Sequence, residues 1–541
     1  MGQEPAPVIP SPKTPDAQNA KDADVPTPRA EAAPAPIAEE KRTELNLLGQ
    51  TDVQAGESRR NENIQFNLID NNALKDLNAR LGTSATAISE FRPELRYFGT
   101  EFGNKPAGLI QLDPARHPRD FHAGIFFTRS DSIFSARAFF QVGSVKPGHE
   151  NDYGFAAGMG LWRGAHLGLS GSSQKLRDNV NGNVLVPLAT ERTPLATDPS
   201  IRKLIQHWID AYPTLPPNRT DVDPRALNIN SPQSINTDAS TIRLDQDLGA
   251  HDRLFLSHIF TNQQVNAFEL VAGQNPDTNT KSHSGRATLD HLFGLASALD
   301  LTFGFDRVHS LLVPEPNAVG PQVIIGTSYQ SLGPTATVPV DRITNRFRYA
   351  AIYRRQVGHH SLTAGSELDR DQTDGHEASS DRGNYYFKSD FGRDAITNFR
   401  LGIPSRYSVG IGDGNRAFRQ WEQQYFVGDN WKVRSNFTIS AGLRYQPVTG
   451  PTDSSHVTPT NYQCDCNNFA PQLGLAWLLP HGGILRAGYG LQYGEIYPQT
   501  LQQLRWDPPG FLKVEVPAPQ LLNPLAGTYL EIGRASCRER V

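Results

Sequence analysis

Long apolar runs are missing from this sequence of 541 residues, and that removes one fold class at once. Nowhere do about 18 apolar residues follow one another, so no transmembrane helix is expected. The nearest approach, residues 293–305, is broken by Asp300 and has strand character. Charge imbalance is missing as well. The net charge of −4 supplies no basic face of the kind nucleic-acid binding uses, and no nucleic acid is expected as a partner. Cysteine is scarce, with three in the chain. Cys464 and Cys466 lie close together in one loop, as two thiols or a local disulfide; a metal site is the sharper alternative, but no second Cys or His pair stands at zinc spacing. A secretory leader is missing too. Met1-Gly2-Gln3-Glu4-Pro5 has neither a basic region nor an apolar core, which places the expected true start upstream.

Enzyme signatures are also lacking. There is no Gly-x-Ser-x-Gly elbow and no His-Glu-x-x-His pair. Gly410-Ile411-Gly412-Asp413-Gly414 has the composition of a nucleotide loop, but no helix follows it, so it reads as a plain loop. His359-His360 reads as a solvated turn. Asp369, Asp371 and Asp374 beside Arg370 read as a solvated acidic loop, with calcium in an outer loop as the alternative. No catalytic residue, cofactor-binding residue or metal ligand is therefore assigned, and the chain is not expected to be an enzyme.

What the sequence does have is alternation. Glycine (46) and proline (40) are plentiful and argue against a helical protein. In residues 424–433, Tyr425, Val427, Trp431 and Val433 share one face, with Asp429 the exception. Phe437, Ile439, Ala441, Leu443 and Tyr445 form the next apolar face, against Thr438, Ser440, Gly442 and Arg444. Leu473, Leu475 and Trp477 make a third. Leu485, Ala487, Tyr489, Leu491 and Tyr493 make a fourth, opposite Arg486, Gly488, Gly490 and Gln492. Successive β side chains point to opposite faces, so each segment is a strand with one apolar and one polar face. Arg434-Ser435-Asn436 and His481-Gly482-Gly483 are short turns, whereas the link 446–469 is long. Short turns at one end and long loops at the other are the habit of an up-and-down transmembrane antiparallel β-barrel. The mean hydropathy of −0.48 is no objection, because such strands are apolar on one face only.

Taken in order, residues 1–41 are rich in Pro, Ala and charge and read as a disordered periplasmic linker. Residues 42–120 read as a small α+β unit. Ile64-Gln65-Phe66-Asn67-Leu68-Ile69 is a strand, and Asn71 or Asn72 caps a helix carrying Leu74, Leu77 and Leu81, which Gly82 stops. Residues 86–91 and 108–112 are further strands. From Phe121 strand follows strand: 121–128, 132–141, 153–162, 165–173, 241–248, 254–261, 284–292, 297–308, 346–356, 361–369 and 385–387. Links 249–253 and 358–360 are short; 183–240, 310–341 and 371–382 are long loops, more than a soluble domain carries. One loop holds a helix. Asp198 caps it, Pro199 starts it, and Ile201, Leu204, Ile205, Trp208 and Tyr212 form a stripe expected to pack on the barrel rim.

Several short motifs then fall into a shared order. Glu101-Phe102-Gly103 is followed by Ser135-Ala136-Arg137-Ala138-Phe139-Phe140. Ile242-Arg243-Leu244-Asp245 is followed by His251-Asp252-Arg253-Leu254-Phe255. Asp429-Asn430-Trp431-Lys432 is followed by Gly442-Leu443-Arg444-Tyr445, and Asn468-Phe469-Ala470-Pro471-Gln472-Leu473-Gly474 by Arg486-Ala487-Gly488-Tyr489-Gly490. Across residues 42–497 this order resembles Oar-like TonB-dependent receptors. The resemblance implies a plug domain over 42–120 and a barrel of the 22-strand type over 121–530, present here in part. It implies an outer-membrane location and energy supplied by a TonB-type partner. It also implies a bulky, unidentified substrate.

The chain departs from that family in three ways. The usual N-terminal sandwich domain is absent, no TonB-binding box is assigned, and about fifteen strands are visible. Residues 531–541, Glu531-Ile532-Gly533-Arg534-Ala535-Ser536-Cys537-Arg538-Glu539-Arg540-Val541, resemble a translated sequencing adapter, so a truncated gene model is expected. On this reading the apolar faces meet the lipid bilayer. Trp431, Trp477, Tyr445 and Tyr493 sit at its interfaces. Arg444, Arg486 and the glycines line a polar lumen with room for the plug. The alternatives are a passive porin-like channel or surface adhesion barrel, and a soluble β-sandwich binding protein.

Overall fold

Alternation of this kind hydrogen-bonds hairpin to hairpin, and the outcome is one large sheet. The computed structural model describes residues 91–93, 110–112, 121–134, 144–458, 462–480, 482–493 and 503–527. The chain divides into Met1–Arg42 and Thr43–Val541, and every described residue belongs to the second unit.

The strands, in chain order, are β1 (Phe91–Pro93), β2 (Ile110–Leu112), β3 (His122–Asp131), β4 (His149–Gly160), β5 (Ala165–Leu185), β6 (Ala226–Asp247) and β7 (Asp252–Asn266). Next are β8 (Asp277–Leu292), β9 (Ser297–Val313), β10 (Gln322–Ile325), β11 (Val340–Val357), β12 (His360–Glu377), β13 (Asn384–Phe387) and β14 (Arg406–Gly412). Last are β15 (Asn415–Arg434), β16 (Phe437–Tyr445), β17 (Thr452–Asp453), β18 (Phe469–Leu478), β19 (Ile484–Gly490) and β20 (Phe511–Pro517).

The main sheet runs β3 to β9, then β11, β12, β15, β16, β18 and β19, each antiparallel to the next in the sheet, with β17 added beside β15. Turns such as Gly358–His359, between β11 and β12, link strands at one end. Gly358 has φ +56° there, a conformation that suits the first position of a two-residue hairpin turn. The long links gather at the other end.

The two faces of this wall invert the rule for soluble proteins. Leu443, Leu473 and Tyr489 are 42%, 56% and 61% exposed. On the opposite face Thr344, Asp371 and Arg444 are 1%, 3% and 1% exposed. Charged residues are seldom so buried unless paired, and contiguous exposed apolar surface marks an interface. A soluble β-sandwich is thereby overturned, because these apolar faces are left uncovered rather than packed on a second sheet.

A second sheet does exist, elsewhere. β10 pairs in parallel with β13, and β13, β14 and β20 follow antiparallel. With α1 (Pro199–Asp210) and α2 (Ala395–Leu401) it forms a cap built from the long links. Asp198 Oδ1 accepts from the amides of Ser200 (2.8 Å) and Ile201 (3.0 Å), so the expected cap and helix start are present. The stripe packs into the cap core rather than on a rim. Trp208 stacks on Phe399 with centroids 6.2 Å apart and meets Phe387 edge-on at 6.4 Å. α2 stops at Gly402, whose φ of +73° favours glycine; a Cβ there would stand 2.4 Å from Ile201 Cγ2, so α1 and α2 could not approach as they do.

Other expectations change. The loop expected over 183–240 is strand at both ends, since β5 runs to Leu185 and β6 begins at Ala226. Their outward face is polar and their inward face mixes polar residues with buried apolar ones such as Leu176 and Ile235, so the alternation is blurred, yet the backbone ladder continues. Residues 385–387 form β13 as expected, but in the cap and not in the wall. Gly410-Ile411-Gly412 is not a loop: it ends β14 and pairs with β20. Residues 132–134 are a short 3-10 turn, not strand. The expected linker, the 64–69 strand, the Leu74–Leu81 helix, the Glu101-Phe102-Gly103 and Ser135–Phe140 motifs and the 531–541 tail lie outside the described residues. Of the small N-terminal unit, only the antiparallel pair β1–β2 is described.

Candidate functional site

The buried polar face is where the chemistry gathers. β11 alternates Arg342, Thr344, Arg346 and Arg348 onto that face, and β12 alternates Asp369, Asp371, Thr373 and Glu377 onto it. The hairpin register sets Arg346 directly opposite Asp371 and Arg348 opposite Asp369. Both pairs are two-pronged: Arg346 donates to Asp371 at 2.7 and 3.0 Å, Arg348 to Asp369 at 2.9 and 2.7 Å. Arg348 also reaches Glu367 at 3.2 Å, and Arg342 pairs with Glu377. On the neighbouring strands Arg286 donates to Asp306 at 2.7 Å, and Asp306 stands across from Arg346. Planar guanidinium–carboxylate forks fix direction as well as charge. On the other side Gln420 and Glu422 of β15 continue the row, and Arg444 lies over Phe426 at 4.9 Å while bonding Gln424.

The wall's long-link end is covered by a later segment. Arg505 donates to the carbonyls of Gly375 (2.8 Å) and Gly414 (3.2 Å), and Trp506 Nε1 to Glu377 O (2.9 Å). Nearby, three carboxylates meet. Asp277 Oδ1 accepts from the Ala267 amide at 3.0 Å, and Glu269 Oε2 from Asn317 at 3.4 Å. Partial burial, a shared hydrogen bond with Asp277 and the charges of Asp277 and Glu269 push the Glu315 carboxyl up to about 7. In the cap, burial of Glu191 works against ionisation, but Arg225, the Leu188 amide and the Tyr329 hydroxyl outweigh it and hold its carboxyl below the usual value. Tyr329 donates to Glu191 at 2.9 Å.

The acidic cluster expected in a loop is not one. Period two splits it: Asp369 and Asp371 point to the buried face and are ion-paired, while Asp374 points outward to Arg419 at 2.6 Å. Arg370 also faces outward, over Trp421 at 5.1 Å. His360 is not a solvated turn residue. It starts β12, bonds Asp429 at 2.6 Å and stacks on Trp431 at 5.3 Å, which also accounts for the one polar position on that apolar face. Cys464 and Cys466 form a local disulfide. Arg444 lies on the polar face as expected; Arg486 lies on β19 and is exposed.

Arg346, Arg348, Arg286 and Asp306 were not foreseen. The signal was present: Arg-x-Arg before the 358–360 link and Asp-x-Asp after it are equidistant from the turn.

On the exposed face of β15, β16 and β18 the aromatics stand in two zones. Tyr425, Tyr445 and Phe469 stack in a row, with centroids 6.3 and 4.6 Å apart, near the long-link end. Phe437 and Trp477 meet at 6.3 Å near the short-turn end, where Trp431 also lies. Tyr445 and Phe437 stand at opposite ends of β16, about 27 Å apart along the strand at the usual rise per residue. At the usual strand tilt of about 40° this is about 20 Å along the membrane normal, of the order of the apolar band of about 25 Å of an outer-membrane barrel, with a girdle at each border.

Residues 119–465 match the family model described as outer membrane beta barrel domain. No curated protein matches the chain at a significant level. Among solved structures it is similar to the siderophore receptor PirA from Acinetobacter baumannii, at 14% identity and a TM-score of 0.43, covering 74% of this chain and 47% of that one. It is also similar to the outer membrane transporter YddB from Escherichia coli, at 12% identity and a TM-score of 0.42, covering 70% and 44%. A third is a mutant of the ferric enterobactin receptor PfeA from Pseudomonas aeruginosa, at 12% and 0.42, covering 74% and 48%. The chain thus spans about half the length of the solved structures it matches. With the family model spanning most of the wall, the chain belongs to the outer membrane beta-barrel family, and its exposed apolar band is the part that lies in the outer membrane.

Proposed function

We propose that the chain is a TonB-dependent outer-membrane receptor of the Oar-like kind, which moves a bulky substrate through a plugged barrel. The observation that carries this reading is the buried, ion-paired wall formed by Arg286, Asp306, Arg346, Arg348, Asp369 and Asp371. Fixed, fully paired charge packed this tightly suits a wall that a polar body sits against, and residues 42–120 are that body. Ahead of the wall the β1–β2 pair is consistent with a folded unit there. The path of thirteen strands leaves β3 and β19 as its two ends among the described residues, which suits the large class of barrel whose lumen holds a plug. Residues 1–41 would then be the periplasmic tether to a TonB-type partner that supplies the energy.

Conductance separates this from a passive channel. The full chain in a planar bilayer should pass little current, and deletion of residues 42–120 should raise it. Unchanged current after the deletion would establish a passive pore and end the transporter reading.

A further inference from the structure

We propose that Cys464 and Cys466 form a thiol-exchange site on the outer surface, which takes up a low-molecular-weight thiol as a mixed disulfide and releases it again. The pair lies in the link between β16 and β18, at the long-link end of the wall, which faces the outside. One residue separates the two cysteines, and that residue sets their geometry. Asp465 and Val448 exchange backbone bonds, each amide donating to the other's carbonyl at 2.9 Å. Val448 in turn bridges to Glu422 of β15, so the segment is tied to the wall. Alternate side chains of an extended segment share a face, so Cys464 and Cys466 stand side by side, with Cα atoms 5.4 Å apart. That spacing is inside the range a disulfide uses.

Bridging does little for the fold. The stabilisation from a disulfide grows with the length of chain it closes, and this ring encloses only Asp465. Other bonds already fix the segment. Asn468 Nδ2 donates to Asp465 Oδ2 at 2.8 Å and to the Gln446 carbonyl at 3.3 Å. The Gln446 amide donates to the Asn468 carbonyl at 2.9 Å, and the Tyr445 hydroxyl to the Cys466 carbonyl at 3.1 Å. None of these contacts involves sulfur. Cys464, Asp465 and Cys466 are all exposed, so an attacking group has access. An exposed disulfide whose second sulfur stays beside the first is the arrangement of an exchange centre rather than a brace. The sulfurs lie close to the membrane, beside the stack of Tyr445 on Phe469 near its outer border, a depth that a small thiol reaches more readily than a protein does.

The chemistry balances without an added oxidant. A thiol R–SH gives up its proton, and its thiolate bonds to one of the two sulfurs. The Cys464–Cys466 bond breaks, and its electron pair leaves on the other cysteine, which becomes a thiolate and takes the proton. Return is the same step reversed. The freed cysteine, held beside the mixed disulfide by the Val448–Asp465 bridge, attacks it and expels R–SH. A second R–SH attacking first releases R–S–S–R and leaves both cysteines reduced.

The test uses the full chain, folded in detergent and carrying Cys537→Ser, so that only this pair can react. It is incubated under nitrogen with reduced glutathione at about 10 mM, quenched with excess maleimide and weighed intact by mass spectrometry. Most of the protein should carry either one glutathione with one maleimide, or two maleimides. Oxidised glutathione added before the quench should restore the unlabelled form. The double variant Cys464→Ser/Cys466→Ser should take no label and keep the parent's urea midpoint. A pair that stays unlabelled while folded, and takes label only in urea, would overturn the proposal. So would a lower urea midpoint of the double variant, because the bond would then be a brace. Opening by reduced thioredoxin but not by glutathione would overturn the choice of a small thiol. None of these outcomes bears on conductance, so the transporter reading stands or falls separately.

Discussion

In the wall, Leu443 looks out toward lipid while its neighbour Arg444 is buried; in the cap, Trp208 is buried while Arg202 and Lys203 lie on the surface. One chain therefore obeys opposite burial rules in two places, and the medium outside decides which. The bilayer cannot satisfy backbone or side-chain polar groups, so the wall closes its hydrogen bonds strand to strand and turns its charges away from lipid. The cap has water outside and so builds an ordinary apolar core, with Ile205, Trp208, Tyr385, Phe387 and Phe399 at its centre. A hydropathy average mixes the two and describes neither.

The contrast predicts where damage will stay. The largest effect is expected for Trp208→Ala, which removes the residue that three aromatic rings share and should cost about 3–5 kcal/mol. Hydrogen exchange should rise across the cap while the wall keeps its heat-resistant migration on a gel; loss of both together would show that wall and cap are one cooperative unit. Next is Leu443→Arg, which places charge against lipid one row inside the Tyr445 border and should cost about 1–2 kcal/mol in urea unfolding from liposomes. Thr438→Arg on the opposite face of the same strand should cost far less, and equal costs would abolish the distinction between the faces. Asp198→Ala should cost about 1 kcal/mol by stripping the two amides of α1 of their acceptor, seen as a lower melting point of the cap signal alone.

The last of the comparisons is a dependence on pH and concerns Glu315. Its folded value, about 7, lies above the ordinary carboxylate value of 4.5, so the folded loop holds a proton that the unfolded loop releases. The contribution is complete below 4.5 and is lost as pH climbs to about 7. Exchange in residues 267–277 and 314–319, corrected for intrinsic rate, should increase over that window. Glu315→Gln should flatten the profile, and a profile that Glu315→Gln leaves unaltered would remove Glu315 as its source.

The same contrast explains what could be read in advance. Tyr425, Leu443, Leu473 and Tyr489 announced their strands because lipid demands an apolar residue at every second position. Asp198-Pro199 and the stripe behind it announced α1 because capping and periodicity are local. The upper halves of β5 and β6 were silent, since Lys175, Asn179, Asp238 and Asn236 on the outward face stand in water, and Leu176 and Ile235 are too few on the inward face to set a period. The cap sheet was silent for another reason: β10 pairs with β13 some sixty positions later, and no local pattern encodes a parallel partner that far away. The ion-paired wall lay between these cases. With the turn at Gly358–His359, counting outward brings Arg348 to Asp369 and Arg346 to Asp371; what was not seen is that the strand runs on past Asp369.

The hydroxyl of Tyr385 donates to the carbonyl of Leu521 at 2.7 Å, across 136 positions of sequence, and that of Tyr212 to Gln330 across 118. Each hairpin of the wall can zip with its neighbour as soon as both strands exist. The clasp made by these tyrosines cannot shut until Leu521 has been delivered. Contacts of such sequence separation carry a loop-closure cost and form late. Assembly therefore has a built-in last step, in which the outer mouth is buckled only after the strands beneath it are threaded.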